Sequence, residues 1–243
     1  MHKKDPLALP PPPADWAAWQ PVALFLDFDG TLVDIAETPN AIRIPDDLPR
    51  RLADLDARVG GRLALITGRS LVDIRSHLGP VSVMVVGSHG AEHGDTPAEA
   101  TMLSRDAAAA IATLAARWPG LLVETKPHGV AIHYRQEPDA GPAVLTVMDD
   151  IAEREELAVR RGKMVVELGP AQANKGRAVA RLMAEPRYAG ATPLFIGDDI
   201  TDEDGFVAVA AAGGHGILVG APRPTAAHFR LENTQEVYTW LHL

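Results

Sequence analysis

Two carboxylates, Asp27 and Asp29, stand two residues apart at the end of the apolar run Val-Ala-Leu-Phe-Leu. Side chains on a strand alternate, so both acids leave on one side while Phe28 turns to the other. Like charges held that close repel, and such a pair has a cation to hold or a proton to move. Gly30 permits a sharp exit from the strand, and Thr31 adds a hydroxyl beside the acids. A second acidic stretch, Gly197-Asp198-Asp199-Ile200-Thr201-Asp202-Glu203-Asp204, follows the apolar Leu194-Phe195-Ile196. So much negative charge just past a buried run is costly unless a cation neutralises it, although Asp202 to Asp204 also suit the first turn of a helix. Lys175, in Ala-Asn-Lys-Gly, opens a helical stretch where a positive charge opposes the macrodipole, which calls for an anionic partner unless the ammonium is simply solvated. Thr67, ahead of another helix, is placed to hold a phosphoryl oxygen, to cap the helix, or to do both.

The elements that must position these residues read as an alternation. Residues 45–59 put Leu48, Leu52, Leu55 and Val59 on one helix face, and Gly60-Gly61 end it. Residues 62–66 form a short apolar strand running into Thr67-Gly68-Arg69-Ser70, 71–78 a helix, and 81–86 a third strand ending in Gly87-Ser88-His89-Gly90-Ala91-Glu92. Strands alternating with helices indicate a parallel sheet with crossovers. The middle differs: helix 104–118, strands 121–126 and 129–135, helix 138–155, and strands 157–161 and 163–168 make a small α/β module. The first texture resumes with a helix over 175–184, a strand over 193–196, a helix over 202–211, a strand over 216–219 and a closing helix over 231–241. The fold class is therefore α/β: a Rossmann-like core with a parallel sheet, built from 21–97 and 171–243, with a smaller α/β domain inserted over 98–170. A flexible, proline-rich stretch is expected over 1–20, with Trp16 and Trp19 packing on the domain surface. In open α/β sheets ligands gather at the carboxyl ends of the strands, where all the chemistry-bearing loops above lie.

Composition narrows the partners. A net charge of −9 over 243 residues argues against nucleic acid and anionic membranes, so any phosphate must be captured by local positive groups. With no cysteine, disulfides, thiolate metal sites and cysteine nucleophiles are excluded, while hard oxygen-ligand metals stay open. No stretch has the apolar core of a signal peptide or the length to span a bilayer. A cytoplasmic, monomeric protein with a small-molecule partner is expected.

The ordered set Asp27-Phe28-Asp29-Gly30-Thr31, Thr67, Lys175 and Gly197-Asp198-Asp199 resembles the four motifs of haloacid-dehalogenase-like (HAD) phosphatases. The resemblance implies that Asp27 attacks phosphorus to give an aspartyl phosphate, while Asp29 protonates the leaving oxygen and then activates water. It implies Mg²⁺ held by Asp27, the backbone carbonyl of Asp29 and Asp198, with Asp199 or Asp202 in support, and a phosphoryl group gripped by Thr67 and Lys175. Beyond these motifs, the Gly87 to Glu92 loop, Glu124-Thr125-Lys126, His133-Tyr134-Arg135, Lys163-Met164-Val165-Val166-Glu167 and Gly197 to Glu203 are similar to the trehalose-6-phosphate phosphatase family, over about residues 24–219. That similarity implies a mobile cap whose Glu124, Lys126, Lys163 and Glu167 hold sugar hydroxyls. It also implies that the loop carrying Ser88, His89, Gly90 and Glu92 reaches the substrate, with Arg135 as a further substrate contact; Arg69, just past the second strand, reads either as a substrate ligand or as helix surface. Leu168-Gly169-Pro170 departs from the pattern, since a basic residue is expected before the proline. Rival readings are a phosphatase of sucrose phosphate or a mannosyl phosphate ester, and a silent sugar-phosphate sensor, against which the intact Asp27, Asp29, Lys175 and Asp198 speak.

Overall fold

The opening apolar run forms strand β1 (Val22–Leu26), every residue of which is buried. It is followed by α1 (Leu48–Arg58), β2 (Leu63–Ile66), α2 (Leu71–Leu78) and β3 (Met84–Gly87). The middle of the chain gives β4 (Glu92–His93), α3 (Arg105–Arg117), β5 (Leu122–Lys126), β6 (Gly129–His133), α4 (Gly141–Glu155), β7 (Leu157–Gly162) and β8 (Val165–Pro170). The remainder supplies α5 (Lys175–Met183), β9 (Thr192–Gly197), α6 (Glu203–Ala211), β10 (His215–Val219), β11 (Phe229–Leu231) and α7 (Thr234–Leu241). The computed structural model describes residues 7–11, 19–94 and 103–243. The chain divides into two units, one formed by Met1–Gly90 with Asn174–Leu243 and the other by Ala91–Ala173.

In the first unit six strands pair side by side and in parallel in the order β11-β10-β9-β1-β2-β3. Alternation along β1 shows why its sequence is apolar throughout. Val22, Leu24 and Leu26 pack with Leu48, Leu52 and Leu55 of α1, Ile74 of α2 and Val237 of α7. Ala23 and Phe25 point to the opposite face, among Val179 and Leu182 of α5 and Phe206 and Val209 of α6. A parallel sheet covered on both faces needs no polar alternation.

The second unit is a four-stranded antiparallel sheet in the order β5-β6-β8-β7. Val130, Ile132, Val166 and Leu168 pack against Ile111 and Leu114 of α3 and Val144, Met148 and Ile151 of α4. One face of this sheet is thus covered by helices, and the residues between these positions belong to the other face.

The structure amends several expectations. The second unit spans Ala91–Ala173 rather than 98–170. Its ends are held by side chains far along the chain, because His128 Nε2 lies 3.5 Å from Glu92 Oε1 and Arg160 Nε donates to the Ala173 carbonyl at 3.1 Å. The third core strand begins at Met84, not at 81. Phe229 to Leu231 form an edge strand where the start of the last helix is expected from residue 231; three residues are too few to show a period. The loose stretch expected over 1–20 does not hold for residues 7–11: Ala8 bridges to Phe229, Pro10 is buried, and Trp240 Nε1 donates to the Pro11 carbonyl at 2.9 Å. Trp19 stacks on His215 at 4.8 Å, whereas Trp16 lies outside the described residues. Among the described residues no helix is long and apolar enough to cross a membrane.

At the point where the chain leaves the first unit, Gly90 has φ 111°, and a Cβ there would come within 3.0 Å of the Asn174 carbonyl, where the chain returns.

Candidate active site

Strand register sets the site. Leu26 pairs with Ile196 of β9 and with Leu65 of β2, so the residues that follow emerge along one edge of the sheet. The Asp27 N–H still donates to the Ile196 carbonyl (2.9 Å), and the Thr67 N–H to that of Val86 (2.9 Å). Just beyond, carboxylate oxygens of Asp27, Asp198 and Asp202 lie within 4.8 Å of one another, and all three residues are buried. Gly30 makes the approach possible: its φ is 81°, and a Cβ would fall 2.2 Å from Asp198 Oδ2.

Lys175 provides the anionic partnership that its place at the start of α5 demands. Its ammonium donates to Asp27 Oδ1 and to Asp202 Oδ1, each at 2.6 Å, with the side chain 3% exposed. Asn174 caps the same helix by accepting from the Arg177 N–H at 2.7 Å. Asp202 is occupied on both oxygens, since Oδ2 accepts from the N–H groups of Asp198 and Asp199 at 2.8 Å each. It thereby ties Lys175 to the loop that carries Asp198. Burial pushes the Asp27 carboxyl well above its ordinary range, and the neighbouring Asp202 and Asp198 add to this against the pull of Lys175. Burial works against the charge on Lys175, but Asp202 and Asp27 more than offset it and hold the ammonium protonated. One buried cation therefore faces three buried carboxylates. That imbalance and an all-oxygen donor set fit a hard divalent ion such as Mg²⁺.

Asp29 and Asp199 are not part of this cluster. Instead the Asp29 carboxylate is gripped by the Arg69 fork, with Nε to Oδ2 at 2.7 Å and Nη2 to Oδ1 at 2.8 Å. Arg69 also donates to Asp73 Oδ2 (2.6 Å) and to the Pro39 carbonyl (2.9 Å). The structure thus sets Arg69, expected as a substrate contact, on Asp29, two residues from Asp27. Thr67 does not cap α2; Ser70 does, accepting from the Asp73 N–H at 3.1 Å. Thr67 Oγ1 accepts from the Arg69 N–H at 3.1 Å and is fully buried at the strand end. The Ser88-His89-Gly90 turn is strapped to this loop, with the Ser88 N–H on the Arg69 carbonyl (2.8 Å) and the His89 N–H on that of Thr67 (2.9 Å). Ser88 and His89 both take left-handed backbone angles (φ 46° and 55°), a conformation that costs a non-glycine residue of order 1 kcal/mol and is maintained by this strapping. Glu92, the last residue expected from that loop, belongs to the second unit, where it lies beside His128.

In the second unit the antiparallel register collects a polar group on the face away from the helices. Glu124 pairs across β5 and β6 with Ala131, Lys126 with Gly129, and Ala131 in turn with Glu167 of β8. Lys126 Nζ donates to Glu167 Oε2, both side chains being about nine-tenths buried. Glu124 accepts from His133 Nε2 at 2.8 Å; burial raises its carboxyl, but the bond to His133 and the Lys126 charge outweigh this and leave it below the ordinary value. Arg135 donates to the main-chain carbonyl of Lys163 at 3.0 Å, joining the two turns at that end of the sheet. His128 and His133 were not among the expected site residues. His133 lies two positions from Ala131 and so on the same face as Glu124 and Glu167, a placement that comes from the register between strands.

The fold is a parallel-sheet α/β core with a buried acid cluster at its strand ends and an inserted α/β unit. Among solved structures, the C-terminal domain of a C. albicans trehalose-6-phosphate phosphatase shares this fold with a TM-score of 0.82, at 24% identity, covering 97% of this chain and 96% of that one. The trehalose-phosphatase family model matches residues 25–235, and the chain belongs to that family. A probable trehalose-phosphate phosphatase of Sinorhizobium fredii is 42% identical over 212 residues, covering 84% of this chain and 80% of that protein. The trehalose-6-phosphate phosphatase of Escherichia coli is 36% identical over 228 residues, covering 91% and 85%.

Proposed function

We propose that the protein hydrolyses trehalose 6-phosphate to trehalose and inorganic phosphate. The observation that carries this reading is the buried group Asp27, Asp198, Asp202 and Lys175 at the strand ends of a trehalose-phosphatase family chain. Asp27 is the nucleophile: its carboxylate oxygen attacks phosphorus, the bond from phosphorus to the sugar oxygen breaks, and an aspartyl phosphate forms. Asp29, once one of its oxygens has left the Arg69 fork and taken up a proton, gives that proton to the departing sugar oxygen, then takes one from the water that releases phosphate and restores Asp27. Arg69, bonded to both Asp29 oxygens, sets the direction of that carboxylate. Lys175 and the Thr67 hydroxyl hold the phosphoryl oxygens. Asp27, Asp198 and the Asp29 main-chain carbonyl would bind Mg²⁺, with Asp202 and Asp199 supporting them from behind. Bound there, the ion neutralises the excess carboxylate charge and polarises the phosphoryl group.

Selection of the sugar falls to the second unit as a mobile cap. Glu124, Lys126 and Glu167 present fixed donors and acceptors on one sheet face, the kind of surface that a disaccharide's hydroxyls require. Lys163 and Arg135 extend that surface at the β7–β8 turn and Glu92 adds to it within the second unit, while Ser88, His89 and Gly90 contribute from the first. A cysteine-free chain acting as a monomer on a charged sugar ester fits a cytoplasmic enzyme. Phosphate release from trehalose 6-phosphate, sucrose 6-phosphate, a mannosyl phosphate ester and glucose 6-phosphate, each with Mg²⁺ and with chelator, tests the proposal. Metal-dependent turnover with a preference for trehalose 6-phosphate is expected; a stronger preference for another ester would overturn the substrate, and equal turnover in chelator would overturn the metal.

A further inference from the structure

The loop joining β10 to β11 carries Arg223. Its guanidinium spans two partners on the acidic loop: Nη2 donates to the Asp199 carbonyl at 2.8 Å, and Nη1 donates to Glu203 Oε1. Glu203 is in turn filled from the same β10–β11 loop, accepting from Thr225 Oγ1 on Oε1 (2.8 Å) and from the Ala226 N–H on Oε2 (2.8 Å). Arg223 and Glu203 are both largely buried, with side chains 23% and 25% exposed. The Asp199 peptide is consequently held from both ends. Its N–H is bonded by Asp202 and its C=O by Arg223, while the adjoining Asp198 N–H shares the Asp202 oxygen.

We infer that Arg223, working with Glu203, is a positioning residue for the metal-binding acid loop: it fixes the Asp198–Asp199 backbone and so sets how tightly the site holds a divalent cation. The fork removes the freedom of a loop that would otherwise be pushed outward by repulsion among Asp27, Asp198 and Asp202. Its charge is matched by Glu203, so the hold on the backbone, and not added positive charge, carries the effect. A lysine would keep the charge and reach only one of the two partners, because an ammonium is a point donor that cannot fork between a carboxylate and a carbonyl. Partners behind a metal's direct ligands are worth about 10- to 100-fold in metal affinity or activity.

This inference rests on the functional reading above, and the experiment separates the two. Mg²⁺ is titrated calorimetrically into the full chain and into Arg223→Ala, Arg223→Lys and Thr225→Val, and melting temperature is recorded in chelator and in excess Mg²⁺. Arg223→Ala is expected to weaken Mg²⁺ about 10- to 100-fold and Arg223→Lys by an intermediate factor, with KM for trehalose 6-phosphate at saturating Mg²⁺ within about 2-fold of the parent. Thr225→Val, which trims one support of Glu203, serves if Arg223→Ala folds poorly, and is expected to weaken Mg²⁺ by a few-fold. Unchanged Mg²⁺ affinity in folded Arg223→Ala or Thr225→Val, with only the chelated melting temperature lowered, would make the clamp a structural tie and overturn the inference. Full restoration by lysine would show that charge alone matters and overturn the positioning argument. A parent chain that hydrolyses no sugar phosphate yet loses Mg²⁺ affinity on Arg223→Ala would sink the functional reading and leave the clamp standing.

Discussion

Asp202→Asn isolates the residue that joins the two halves of the acid site. The parent carboxylate spends Oδ1 on the Lys175 ammonium and Oδ2 on two backbone N–H groups, and the residue is fully buried. An amide satisfies only one side. With its oxygen toward the Asp198 and Asp199 N–H groups it turns an NH₂ donor toward an ammonium, and the charge-assisted bond, about 1.5–3 kcal/mol, is lost. Lys175 keeps Asp27 as a partner, so the loss stays below the roughly 3–5 kcal/mol of a fully broken buried pair. We expect about 2–4 kcal/mol of destabilisation. For a chain of this size that is a fall of roughly 4–16 °C in melting temperature. Asp202→Ala should cost about 1–3 kcal/mol more, because two buried N–H groups are then orphaned as well. Thermal melts in chelator, followed by urea titration, provide the measurement. A change below about 1 kcal/mol for Asp202→Asn, or equal values for the two variants, would refute the view that Asp202 bridges Lys175 and the loop.

Other expectations follow from the same geometry. Asp27→Asn should abolish turnover but lower the melting temperature in chelator less than Asp202→Asn does, since relief of burial and of repulsion from two neighbouring carboxylates offsets the lost bond to Lys175; a larger fall than for Asp202→Asn would contradict this. Glu167→Gln should cut kcat/KM for trehalose 6-phosphate by roughly 30- to 1,000-fold, about 2–4 kcal/mol, while hydrolysis of a small aryl phosphate is spared; parallel losses on both substrates would assign Glu167 to structure. His215 packs against Trp19 and His228, and burial together with the His228 charge holds its pKa below the ordinary value. The unfolded chain then binds a proton more readily, so stability should fall as pH drops below about 6.5 and level off beneath the folded pKa. Chemical denaturation of His215→Phe between about pH 7 and pH 5 should show a shallower loss than the parent.

What the sequence disclosed and what it withheld have physical reasons. β1 and the Asp27–Asp29 spacing were legible because a buried parallel strand writes an unbroken apolar run and alternation fixes which side chains leave together. Lys175 was legible as a misplaced charge: a cation at a helix start signals an anion, and the structure supplies two. Arg69 was not, because its partner Asp29 lies 40 positions away and nothing local distinguishes a clamp from a ligand. The Arg223–Glu203 clamp was hidden for the same reason. In the second unit the polar face of Glu124, His133 and Glu167 depends on strand register, which periodicity within one strand does not reveal. The strand from Phe229 to Leu231 was too short for any pattern, and the tie of Pro11 to Trp240 runs through a single carbonyl.

The close approach of Gly90 to the Asn174 carbonyl bears on how this chain folds and varies. Both residues belong to the first unit, so the segment between them hangs from that unit as a loop whose two ends are already side by side. Ring closure is then a cost that depends only weakly on how much chain the loop contains, about 0.6 kcal/mol for each doubling. The parallel sheet can accordingly assemble from two distant stretches without regard to what is threaded between them. Replacing Ala91–Ala173 by a short glycine-rich linker asks the core for little beyond that closure term.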